Sequence, residues 1–127
     1  MVKFTGKIIQ GNDNTTKLLN EIKSSCTQYP TLNKDEEQEL IYKYKDNREE
    51  LNRLLILHNI RSVFSIAKRY SSKVDDFDSL VMDGILGLCE AAKRFDITKD
   101  IKFITYAYIW IRKYILQGFY AKNVKVD

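Results

Sequence analysis

Apolar side chains recur in this chain at steps of three and four residues from residue 18 onward, with polar positions where a helix would turn them to solvent. In TTKLLNEIKSS, Leu18, Leu19 and Ile22 predict a first helix with Thr15 or Thr16 as its cap. After the single proline, Asn33 with Glu36 three residues later predicts a second helix opened by a capping box. Asp35, Glu36 and Glu37 would face the positive end of its dipole. Leu51, Leu54, Leu55, Val63 and Ile66 run as one stripe through LNRLLILHNIRSVFSIAKRY and predict one long central helix starting near Asn47. SSKVDDFDS breaks that pattern. Asp76 or Asp78 can cap the next helix, where Leu80, Val81, Ile85, Leu88, Ala92 and Phe95 fall at helical spacing. Gly84 and Gly87 lie inside it. An interior glycine costs about 1 kcal/mol against alanine, so close approach of another helix is the expected reason for both.

FDITKD predicts a loop, followed by a last helix running toward residue 121. A helical wheel gives that helix two apolar stripes. Ile104, Tyr108, Ile111 and Ile115 form one; Phe103, Tyr106, Trp110 and Tyr114 form a second, rotated by roughly 110°. Lys102, Arg112, Lys113 and Gln117 edge the aromatic stripe. Two readings of it stand: a core helix packed on both sides, or a platform on which unpaired bases stack while the cations hold phosphates.

With 127 residues, 44% hydrophobic and 30% charged, the chain fits one domain of ordinary globular composition. One proline and five glycines favour long helices over strands and turns. The expected fold is all-α, a compact bundle of about five helices, with 1–17 an irregular arm and 18–127 a single helical domain. No apolar run approaches the ~20 residues of a bilayer span, and the N-terminus lacks a secretory core. A cytoplasmic protein without membrane contact is expected. Charge is unevenly spread: residues 91–127 hold eight Lys and Arg against three Asp, whereas residues 1–90 hold thirteen against fourteen acids. That asymmetry points to an anionic partner for the last segment, nucleic acid ahead of membrane.

Catalytic chemistry has no footing in the sequence: no nucleophile with a base, suitably spaced carboxylate pair or phosphate loop stands out. An enzyme is not expected. Cys26 and Cys89 are far apart and read as reduced thiols, with Cys89 in the core. His58 reads as a helix-surface or boundary residue. Asp75, Asp76, Asp78 and Asp83 do not follow a calcium loop and read as caps and a solvated face. Neither metal nor cofactor is expected.

Three blocks in ungapped order, HNIRSVFSIAKRY, FDSLVMDGILGLCEAAKRFD and IKFITYAYIWIRKYI, closely resemble region 2 of the sigma-70 family, the promoter-recognition subunits of bacterial RNA polymerase. The preceding LLNEIKSSCTQYPTLNKDEEQELIYKYKDN is similar to region 1.2, so the resemblance covers about residues 18–123. It implies a helical domain with two working faces. One docks on the clamp coiled coil of the core polymerase's largest subunit through the helix from Asp78 to Phe95. Asp83 and Gly84 match the family's acid-glycine pair there, and Leu80 and Leu88 match packing positions. The other face recognises and melts the minus-ten element of promoter DNA. There the resemblance makes Tyr106 the stack for a flipped adenine of the non-template strand, with Phe95, Asp96, Lys99 and Lys102 around it. Asn59, Arg61 and Thr105 match positions near a second flipped base or its backbone.

Departures are informative. Ser79, Met82 and Ile85 stand where the family usually has an acid, a glutamine and an asparagine, implying an altered polymerase contact. Ile109 and Trp110 keep half of a two-tryptophan wedge, an aromatic usual at Ile101 is lost, and Lys113 and Leu116 replace residues that read an upstream base pair. A divergent member of phage or mobile-element type is implied, with its own promoter preference. The resemblance does not extend to regions 3 and 4, which leaves two readings: a stand-alone region 2 protein with a separate partner subunit supplying them, or a fragment of a longer chain. A sigma-mimicking regulator that occupies the clamp helices without opening promoters is the alternative function.

Overall fold

Three short polar side chains set where helices begin. Asn33 accepts from the Glu36 N–H at 2.8 Å while the Glu36 carboxylate accepts from the Asn33 N–H at 2.8 Å, the expected capping box. Asn47 accepts from the Glu50 N–H at 3.2 Å, and Asp76, rather than Asp78, accepts from the Ser79 N–H at 3.1 Å. Each supplies a partner to an amide that the first helical turn leaves without one. The computed structural model describes residues 13–70 and 76–123. In these lie α1 (Asp13–Ser25), α2 (Lys34–Tyr44), α3 (Arg48–Leu57), α4 (Ile60–Lys68), α5 (Phe77–Arg94) and α6 (Phe103–Asn123). No strand occurs among the described residues, and the fold is all-helical as expected. α1 starts inside the stretch read as an arm; the rest of that arm and the break at 71–75 lie outside the described residues.

The long central helix expected from Asn47 to Tyr70 is two helices. Within the described fold, Asn59 explains the break. Its side-chain Nδ2 donates to the Leu55 carbonyl at 2.7 Å, taking the acceptor that its own backbone N–H would use in a continuous helix. That N–H bonds instead to Ile56 O at 3.0 Å. His58 closes α3 at the boundary, its Nδ1 2.8 Å from Pro30 O and its ring edge-on to Tyr29 at 5.4 Å.

α5 forms the centre, meeting α6 most extensively and also α4, α3 and α1. Gly84 and Gly87 do serve close packing. A Cβ on Gly87 would lie 2.5 Å from Trp110 O and 2.8 Å from Ile111 Cα, and one on Gly84 would lie 2.7 Å from Val63 Cγ1. The buried face of α6 is Phe103, Ala107, Ile111 and Ile115. This corrects the expected stripe: Ile104 and Tyr108 are half-buried, and Phe103 belongs to the core instead of the contact face. Cys26 is the buried thiol and Cys89 the half-buried one, contrary to the expected core position of Cys89. Burial nevertheless pushes the Cys89 thiol up.

Glu37 ties α2 to α6. Only 1% exposed, its Oε2 accepts from the Phe103 N–H at 2.7 Å and so caps a helix that begins 66 residues later. Burial raises its pKa, opposed by the Phe103 N–H and by Lys102. The folded state therefore holds this proton more tightly than the unfolded chain, so the Glu37 contribution is full below the ordinary carboxylate range and declines as pH rises through the folded value. Glu37→Ala is expected to lower stability by about 1–3 kcal/mol, the penalty for an orphaned buried N–H. Glu37→Gln keeps an acceptor oxygen and flattens the decline. Urea titrations between about pH 4 and 7 check this; parallel stability curves for wild type and Glu37→Gln would refute it.

Candidate nucleic-acid interface

The chain leaves α5 at Phe95, whose backbone is extended at φ −68° and ψ 129°. That turn brings the Phe95 ring under α6, edge-on to Phe103 at 5.1 Å and tilted against Tyr106 at 5.6 Å. Phe95 and Phe103 are buried, whereas Tyr106 is half-buried, so one aromatic surface rests on two hidden ones. The Tyr106 hydroxyl donates to Arg94 O at 3.5 Å, a long contact that leaves the ring free to serve mainly by its face.

One helical turn on, the Arg94 guanidinium lies 5.1 Å and the Lys113 ammonium 5.2 Å from the centre of the half-buried Trp110 ring. Glu90 accepts from Arg94 Nε at 2.6 Å, which holds the Glu90 carboxyl below and the Arg94 guanidinium above their ordinary ranges. On the loop, Asp96 accepts from the Thr98 hydroxyl at 2.6 Å and the Thr98 N–H at 2.9 Å; these bonds lower its pKa. Lys99, Thr105, Arg112, Lys113 and Gln117 are exposed, and Lys102 half-exposed. The fold thus brings Phe95, Tyr106, Trp110 and Lys113 together with Arg94. Sequence reasoning missed Arg94, although its place immediately before Phe95 in a basic last turn was a usable signal.

Asn59 and Arg61 are engaged elsewhere. Asn59 is buried and commits its amide to Leu55 O, so it offers no accessible donor. Arg61 is exposed, donates to Cys26 O at 3.1 Å, and borders a groove of about 300 Å³ with Thr31, Arg69, Ile104 and Tyr108. Arg69 stands 5.9 Å from the Tyr108 ring there. Neither Arg69 nor Tyr108 stood out in the sequence as a site residue. Their pairing links α4 to α6 and leaves no trace in local spacing.

The expected partner face on α5 needs correction. Ser79, Leu80, Met82, Asp83 and Ile85 are all buried, part of an unbroken buried run from Ser79 to Ile85. Over this stretch α5 is covered by its neighbouring helices, so residues on successive faces are hidden. Asp83 itself lies against Gly118 of α6, where even a Cβ would collide with its carboxylate. Asp78 remains half-exposed, and beyond the buried run Leu86, Cys89 and Glu90 are half-exposed and Lys93 exposed. No described helix is long and apolar enough to cross a membrane.

Residues 55–123 match the family model of Sigma-70 region 2. The chain is 40% identical over 110 residues to an RNA polymerase sigma factor SigA of Bacillus sp, covering 87% of this chain and 28% of that protein. It is 42% identical over 93 residues to SigA of Lactococcus lactis subsp. cremoris, covering 71% and 26%. Against an RNA polymerase sigma-C factor of Myxococcus xanthus, identity is 35% over 100 residues, covering 79% and 34%. The chain thus spans about a quarter to a third of the relatives' own length.

Proposed function

Because the chain belongs to the sigma-70 family through its region 2, we propose that it joins core RNA polymerase and opens promoters by capturing an unpaired adenine of the minus-ten non-template strand. The Phe95–Tyr106–Trp110 surface carries this reading. Tyr106 presents a ring over a rigid Phe95 floor, and cations cover the neighbouring Trp110. An exposed cation over a ring is worth about 0.5–1 kcal/mol, whereas a stacked base is worth about 1–3 kcal/mol. A base can therefore displace Arg94 or Lys113 from Trp110, and the displaced cation is then positioned to meet a phosphate. Exchange of this kind offsets the few kcal/mol that unstacking a nucleotide costs.

Lys99, Lys102, Arg112 and Lys113 supply sequence-independent attraction to the strand, so binding weakens as salt rises. Phe103 acts beneath this surface as support. Core polymerase meets α5 through its exposed second half, around Leu86, Cys89, Glu90 and Lys93, together with Asp78. Leu80 and Met82 shape that face from within.

The test is transcription from a supercoiled promoter library by core polymerase with and without the full chain, alongside a pull-down on core enzyme. Retention on the enzyme with defined new start sites is the expected result. Retention with repression and no starts would identify a sigma-mimicking regulator, and absence of retention would exclude both.

A further inference from the structure

The loop between α5 and α6 is held from both ends by the α2–α3 hairpin. At its start, Arg48 of α3 donates from Nη2 to the carbonyls of Phe95 at 2.5 Å and Ala92 at 3.0 Å, while Nε donates to Asn52 Oδ1 at 2.8 Å. At its end, Glu37 of α2 accepts from the Phe103 N–H at 2.7 Å. Lys34 pairs with Asp100 between them at 3.0 Å, an exposed contact of little energetic weight.

Helix C-termini leave their last carbonyls without intrahelical partners. In α5 the basic residues of the last turn are turned to other uses: Arg94 bonds Glu90 and covers Trp110, and Lys93 lies 3.9 Å from Glu90. Arg48, reaching across from another helix, binds two of those carbonyls. Its forked guanidinium suits the task, since one arm is anchored on Asn52 while another serves both oxygens; a lysine has no second arm. The bond to Phe95 O fixes where the chain departs from α5, and with it the ring that underlies Tyr106.

We propose that Arg48 is a positioning residue for base recognition, holding the Phe95 floor against Tyr106 so that the outer face of that ring is presented to a flipped base. This rests on the base-capturing function proposed above. Arg48 sets selectivity for the base, whereas attraction to the phosphates comes from the lysines and arginines of α6 and its preceding loop.

The experiment measures affinity of the full chain for two fluorescent single strands. One carries a minus-ten element of the relatives' promoters; the other has an abasic site in place of its flipped adenine. Wild type should prefer the first by about tenfold, the scale of one stacked base, and Tyr106→Ala should erase the preference. Arg48→Ala and Arg48→Lys should reduce the preference toward unity while leaving abasic-strand affinity within about twofold of wild type. Amide exchange across residues 95–102 should accelerate in the same variants without DNA. Arg48→Lys serves if Arg48→Ala does not fold, as judged by circular dichroism. Preference retained in the Arg48 variants, or equal loss of affinity for both strands, overturns the role of Arg48 and leaves base capture standing. No preference in wild type removes base capture, and the role of Arg48 with it.

Discussion

Gly87→Ala is expected to lower stability by about 3 kcal/mol, although alanine is the better helix former by about 1 kcal/mol. The added Cβ would meet Trp110 O at 2.5 Å and Ile111 Cα at 2.8 Å, atoms of a helix backbone that cannot rotate away. Relief requires α5 and α6 to part along their whole contact, opening gaps around Leu88, Ile111 and Ile115, which are completely buried. Gly84→Ala provides the contrast. Its first obstacle is a side-chain atom, Val63 Cγ1 at 2.7 Å, so a smaller loss of about 1 kcal/mol is expected. Urea denaturation followed by circular dichroism compares the two. Equal stability of Gly87→Ala and wild type would mean that the two helices do not need this close approach.

Tyr106→Ala is expected to reduce promoter opening by roughly 10- to 100-fold, the equivalent of one lost base stack. Binding to core polymerase should fall less than opening, because the Tyr106 ring meets α5 at its C-terminal end, at Phe95 and Arg94 O, whereas Leu86 and Cys89 lie one to two turns earlier. Tyr106→Phe retains the ring over Phe95 and gives up only the 3.5 Å hydroxyl contact to Arg94 O, so it should open promoters nearly as well as wild type. Permanganate reactivity of unpaired thymines measures opening, and pull-down measures polymerase binding. Parallel loss of both in Tyr106→Ala would mean that the ring supports the fold instead of meeting a base.

Features governed by a few neighbouring residues are legible in the sequence alone. The caps at Asn33, Asn47 and Asp76 follow from side chains three residues from the amides they serve, and helical spacing suffices for the all-α fold. Where distant residues compete, local pattern misleads. Asn59 sits in an unbroken apolar pattern, and nothing in its spacing tells that its amide takes the Leu55 carbonyl and splits the helix. Phe103 resembles a contact residue when stripes are drawn through large side chains. The true inner face passes through Ala107, whose small size makes it nearly silent in such a drawing. Glu37 has the position of an acid favouring its own helix, yet its partner is the amide of Phe103.

The candidate site divides in the same way. Tyr106, Trp110 and the cations of the last helix are recognisable from their pattern, but Arg94 reaches Trp110 only through tertiary packing. On α5, matching by position proposes a partner surface from residue types alone. Solvent access there depends on what surrounds the helix, which the order of residue types does not encode; hence Ser79, Met82 and Ile85 match the positions of a surface they do not reach.

Trp110 is the chain's sole tryptophan, and Arg94 and Lys113 both lie against it. The protein consequently carries a built-in optical probe at one defined place. Indole emission responds to nearby charge and to stacked nucleobases, so the proposed exchange of its cationic cover for DNA is expected to change the emission of the unlabelled protein in real time, without a second fluorophore.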